Sequence, residues 1–123
     1  MAEYGFGKHL RLLTAADYKA VFGQALYKVS CPQLLILAIP NGQASPRLGL
    51  VIAKKHVRLA TQRNRIKRLL RESFRLNQHL LAGLDIVILA RTGVDKLDNK
   101  AVSELTARLW QDLIRRRNRQ TAR

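Results

Sequence analysis

Between Lys54 and Arg75 the chain reads KKHVRLATQRNRIKRLLRESFR, and no other stretch restricts its folding as much. From Thr61 onward apolar residues recur at helical spacing. At roughly 100° per residue, Ile66, Leu69, Leu70, Ser73 and Phe74 share one arc. Asn64, Arg65, Lys67, Arg68, Arg71 and Arg75 fill most of the opposite side. The stretch holds nine of the chain's 23 Lys and Arg residues and a single acid, Glu72. The pattern predicts a helix over residues 61–78 with one stripe committed to a core and one cationic face left outside.

The flanking elements follow from local chemistry. Thr14 is placed to cap a short helix through its hydroxyl, Asp17 adds a favourable first-turn charge, and Gly23 stops it. Its apolar positions are Tyr18, Val21 and Phe22. Pro32 introduces LLILAI at 34–39, which ends in Pro40-Asn41-Gly42, and Pro46 leads into RLGLVIA at 47–53. These two strands are expected to pair as an antiparallel hairpin. DIVILA at 85–90 is short, β-branched and apolar on both faces, which predicts a central strand. A last helix is expected over 99–117 with Val102, Leu105, Leu109, Trp110 and Leu113 inward, and the polar tail after it is expected to fray. No linker divides the chain. The expectation is one domain over residues 1–123, irregular over 1–13 and loose over 118–123. The order helix, strand, strand, helix, strand, helix implies an α+β fold, a small sandwich with a single sheet.

A net charge of +15 on 123 residues favours polyanions, while 47% hydrophobic residues argue against disorder. No apolar run reaches the ~20 residues of a membrane span, and MAEYGFGKHL has no apolar signal core, so a cytoplasmic protein with no membrane partner is expected. Cys31 is alone, which excludes an internal disulfide and a cysteine-based zinc site. His9, His56 and His79 are dispersed and read as solvated side chains. The eight carboxylates form no evident acid/base or metal-binding pair, and no phosphate-binding glycine motif occurs. The expectation is a protein with neither catalytic residues nor a metal site of its own. The cationic helix carries the function: guanidinium groups bind phosphate bidentately, and Asn64 among them offers a group for a base edge or ribose. A solvated face usually alternates sign, but only Glu72 offsets these cations. Lys54 and Lys55 extend the positive surface toward the helix's N-terminal end. Tyr18 and Phe22, four apart, serve either as core or as a platform for unpaired bases, and their spacing does not choose between them. A duplex-DNA reader would need a turn-linked helix before the basic one, and none precedes it.

Arg63 through Arg75, RNRIKRLLRESFR, resembles the "RNR" helix of the protein subunit of bacterial ribonuclease P. The similarity spans nearly the whole chain. Arg11-Leu12-Leu13 with Asp17-Tyr18 and Val21-Phe22 is similar to the family's first helix. Residues 47–55, RLGLVIAKK, resemble the strand before the RNR region, and residues 85–91, DIVILAR, the strand after it. The resemblance implies a fold like the second domain of ribosomal protein S5, with a left-handed crossover between parallel strands where general statistics favour the right hand. It implies a large catalytic RNA as partner, Mg²⁺ held mainly by that RNA, and precursor tRNA as substrate, with the protein monomeric in a 1:1 complex. It places Arg63, Asn64, Arg65, Lys67, Arg68 and Arg71 toward the catalytic RNA and substrate. Tyr18 and Phe22 become aromatics of a cleft for the single-stranded 5′ leader, flanked by Lys54 and Lys55. Two departures stand out. The run from His56 to Gln62 is one residue longer than in some relatives, and Leu34, Leu35 and Leu37 replace aromatics, which implies a greasier cleft with less stacking.

Overall fold

The computed structural model describes residues 10–11 and 14–121. The elements are α1 (Ala15–Gln24), β1 (Tyr27–Ser30), β2 (Leu34–Pro40), β3 (Arg47–Val51), α2 (Ala60–Leu76), β4 (Leu84–Ala90) and α3 (Asn99–Thr121), with a 3₁₀ turn at Val94–Lys96. The start of α1 follows the expected chemistry in full. Asp17 N–H donates to Thr14 Oγ1 at 3.1 Å while Thr14 N–H donates to Asp17 Oδ2 at 3.2 Å, a reciprocal capping box.

The four strands lie in the order β1-β2-β4-β3. DIVILA is therefore central, as its two apolar faces require, and every β4 residue except Leu89 is buried. The expected hairpin between residues 34–39 and 47–53 is corrected. β2 pairs with β4 antiparallel, and β3 pairs with β4 parallel, so β4 lies between them. The 41–46 loop steps across the head of β4 and is fastened there: Asn41 Nδ2 donates to Ser45 O at 3.0 Å and to Asp85 Oδ1 at 2.9 Å. Parallel neighbours need a crossover element, and α2 supplies it. The strand β1 was not expected from the sequence. It has four residues, with Tyr27 and Val29 buried and Lys28 and Ser30 exposed, and it hairpins onto β2 through Cys31-Pro32.

The sheet's two faces are covered unequally. On one, α2 and α3 close the main core over Leu34, Ile36, Ala38, Leu48, Ile86 and Ile88. Trp110 and Phe74 meet edge to face there, with centroids 6.3 Å apart, and Trp110 Nε1 donates to Ser73 Oγ at 2.9 Å. That bond explains a serine in the buried stripe of α2: the indole N–H has to find an acceptor once it is out of water. On the other face, among the described residues, the only helix is the ten-residue α1. Val21 of α1 and Val87 of β4 are buried at the contact, while Tyr18, Leu37, Ile39, Val51 and Leu89 are only partly covered.

Both ends of the chain depart from expectation. Leu10 is buried and Arg11 forms an isolated parallel bridge with Leu48, so part of the 1–13 segment joins the fold; residues 1–9, with His9, and residues 12–13 lie outside the described residues. α3 runs to Thr121 where fraying was expected after residue 117. No breaker interrupts it, and Arg117 ties it down by donating to Leu80 O at 3.0 Å and Ala82 O at 3.1 Å. No helix among the described residues is long and apolar enough to cross a membrane.

Candidate nucleic-acid interface

The helix α2 buries Ile66, Leu70, Ser73 and Phe74 and half-buries Leu69, so the stripe read from the sequence is the packed side. Its cationic side divides into two groups. Arg63 turns back on its own N-terminus, where Leu59 offers no capping side chain, and donates to Val57 O at 2.9 Å and Arg58 O at 2.8 Å. Arg65 reaches across to the α3 entrance. It donates to Gln62 Oε1 at 2.8 Å, Asn99 Oδ1 at 2.7 Å, Asp95 O at 3.2 Å and Leu97 O at 3.0 Å. Of the six residues that the resemblance places toward RNA, these two have guanidinium groups engaged within the protein.

Asn64 and Arg68 are exposed, Lys67 and Arg71 are half-buried, and none of the four has a hydrogen bond or ion pair among the described residues. With Arg75 they form a stripe about 16 Å long at 1.5 Å per residue. At its far end Arg75 grips Glu72 at 3.0 and 2.5 Å, and this hydrogen bond holds the Glu72 carboxyl below its ordinary range. The helix's only acid is thus neutralised locally.

Because Arg65 fastens α2 to the segment leading into α3, its replacement tests structure separately from binding. Arg65→Ala is expected to lower stability by about 2 kcal/mol, several charge-assisted bonds being lost against partial solvent access. That is roughly 8 °C in Tm by thermal denaturation. Arg65→Lys should recover little of it, since an ammonium lacks the planar fork that reaches these acceptors.

Lys54 and Lys55 are exposed on a turn beyond β3, where the chain leaves the sheet for α2. Ala53 O accepts from both His56 N–H and Val57 N–H at 3.1 Å. His56 is not merely solvated: its Nδ1 lies 2.8 Å from Thr92 Oγ1. A cavity of about 500 Å³ opens here, bordered by Lys55, His56, Arg58, Thr92, Asp95 and Lys96.

On the lightly covered face, Tyr18 packs across Gly49 so closely that a methyl group there would sit 2.7 Å from the ring. Phe22, one turn on, is 46% exposed. The structure thus divides the aromatic pair, with Tyr18 half-packed on the sheet and Phe22 projecting. Leu35 and Leu37 share this face, but Leu34 does not: strand alternation turns it into the main core, fully buried. The edge of the face is closed by Arg47, which donates to Asp85 at 2.9 and 2.6 Å and lies 3.6 Å from Asp17 of α1. Hydrogen bonding to Asp85 raises the Arg47 pKa above its ordinary value. Among the described residues no three His, Cys, Asp or Glu side chains converge as a metal site.

A mixed four-stranded sheet, a parallel crossover through a cationic helix and an opposite face that the described residues cover only lightly define a small basic α+β protein. The ribonuclease P family profile matches residues 6–114. The ribonuclease P protein component of Pseudomonas entomophila is 53% identical over 117 residues, covering 95% of this chain and 88% of the relative. That of Pseudomonas putida is 54% identical over 117 residues, covering 95% and 87%. Among solved structures, the Thermotoga maritima RNase P protein superposes with a TM-score of 0.71 at 31% identity, covering 82% of this chain and 96% of that one. The Staphylococcus aureus protein shares the fold at 23% identity, with a TM-score of 0.77 and coverage of 83% and 93%. The chain belongs to the ribonuclease P protein family.

Proposed function

We propose that the chain is the protein component of a bacterial ribonuclease P, an endoribonuclease that removes the 5′ leader of precursor tRNA by hydrolysing one phosphodiester bond. Family membership supports an RNase P RNA as its partner. The observation that carries the reading within the molecule is the unpaired stripe of Lys67, Arg68 and Arg71 beside Asn64 on α2. Two RNAs brought together repel through their phosphates, and a rigid row of cations between them offsets that repulsion. The catalytic RNA would hold the Mg²⁺ ions for the hydrolysis, and the protein's cations would lower the concentration of Mg²⁺ the RNA requires. The open sheet face takes the leader, with Phe22 as the stacking ring, Tyr18 as its packed support, and Lys54 and Lys55 at the end of the path. The working unit is one protein with one catalytic RNA in the cytoplasm, with no role for DNA or a membrane.

Reconstitution tests this. Catalytic RNA should process precursor tRNA at Mg²⁺ concentrations too low for the RNA alone once the protein is added, and no effect of the protein would overturn the reading. In the same assay Phe22→Ala should weaken precursor tRNA binding about tenfold, since base stacking is worth about 1–3 kcal/mol, and leave mature tRNA binding unchanged. Equal losses on both would remove the leader from this face.

A further inference from the structure

We infer that the cleft between the edge strand β1 and the C-terminal half of α3 is a second phosphate-binding site, which takes RNA backbone at a place the α2 stripe does not reach. The cleft has a volume of about 580 Å³ and is bordered by Lys28, Val29 and Ser30 on one side and by Asp112, Arg115, Arg116 and Arg119 on the other. Its single acid is neutralised in place, because Asp112 is ion-paired with Arg115. Lys28, Arg116 and Arg119 are exposed and have no hydrogen bond or ion pair among the described residues. The neighbouring Arg117 is turned away to the carbonyls of Leu80 and Ala82. Three successive arginines therefore serve three ends, and of the three Arg116 is the one that lines the cleft without an internal partner among the described residues.

The opposing wall adds donors of another kind. Among the described residues β1 is an edge of the sheet, so its outward backbone N–H groups have no ladder partner there. The α3 C-terminus contributes a partial negative charge of about one half, which three free cations outweigh. Val29 is the only apolar residue in the lining, so the cleft offers neither an acyl-chain seat nor an aromatic-sized hot spot. Its chemistry fits successive phosphates. The two surfaces sit on different helices: the α2 stripe ends at Arg75, near where Trp110 Nε1 donates to Ser73 Oγ, and Arg116 lies six residues beyond Trp110, about 9 Å along the α3 axis.

The inference rests on the proposed partnership with RNase P RNA. It is tested by titrating the full chain against the catalytic RNA transcript across a salt series. Replacing Lys28, Arg116 and Arg119 together by Ala should leave Tm unchanged and make the slope of log K against log salt shallower by about two to three. Arg116→Lys with Arg119→Lys should keep the original slope. An unchanged slope in the triple alanine variant, alongside a shallower one after Ala substitution of Lys67, Arg68 and Arg71, overturns the second site and leaves the proposed function standing. Unchanged slopes in both overturn both. Lys100→Ala with Arg108→Ala, exposed elsewhere on α3, is the charge control; an equal loss per charge there reduces the effect to net charge and overturns the site.

Discussion

Alanine at Lys67, Arg68 and Arg71 together is expected to flatten the salt dependence of catalytic-RNA binding while leaving thermal stability within about 0.5 kcal/mol of the parent. These side chains are free of internal partners, and alanine is the best helix former, so nothing in α2 opposes the change. Each phosphate neutralised contributes about 0.7–0.9 to the slope of log K against log salt. Losing three lowers the slope by about two to three, and a fourfold salt increase then costs the variant about thirtyfold less affinity than the parent. At low salt the affinity itself should drop by two orders of magnitude or more on the same counting. Arg65→Ala gives the opposite profile, with lowered Tm and a nearly parental slope. Electrophoretic or filter binding over a salt series, with a melting curve for each variant, separates the two. If Arg65→Ala flattened the slope as much as the triple substitution, the division of the helix into anchoring and binding arginines would fail.

That division marks the limit of what the sequence carries. The stripe of α2, the Thr14–Asp17 cap and the central place of residues 85–90 were all legible, because each is set by local period or by residues three or four apart. The strand order was not. Two apolar strands joined by a short loop carry no mark of a third strand arriving from some forty residues later, and the fastening of the 41–46 loop to Asp85 is a long-range contact. β1 was missed because four residues of alternating burial make too short a period to separate from coil. Arg65 and Arg68 look alike in sequence; only the acceptors at Asp95, Leu97 and Asn99 separate them, and these lie about thirty residues away. Leu34 and Leu35 differ only in strand parity, which fixes which of them faces the open side. Tyr18 was ambiguous for a sound reason: in the structure it is half core and half surface.

Arg47→Ala is expected to cost about 3 kcal/mol, near the lower end for breaking a buried pair because the Arg47 side chain keeps 24% exposure. Asp85 is only 5% exposed, and Arg47 supplies two of its hydrogen bonds, at 2.9 and 2.6 Å. Without them the carboxylate keeps only Asn41 at 2.9 Å. The cost is that of an uncompensated charge held away from water, so Asp85→Asn in the Arg47→Ala background should recover about half of it, a neutral amide being cheaper to bury. The expected fall for Arg47→Ala alone is roughly 12 °C in Tm. Function should suffer beyond stability, because Arg47 also faces Asp17 at 3.6 Å and so ties α1 to the sheet. Val21 is the only buried side chain of α1 among the described residues, and the helix carries Tyr18 and Phe22. Below its melting point, Arg47→Ala should therefore lose precursor tRNA affinity while catalytic-RNA affinity, assigned by the proposed function to α2 across the sheet, stays near the parental value. Equal loss on both RNAs would mean that the two surfaces are coupled through the sheet, and that α1 is not positioned by this ion pair alone.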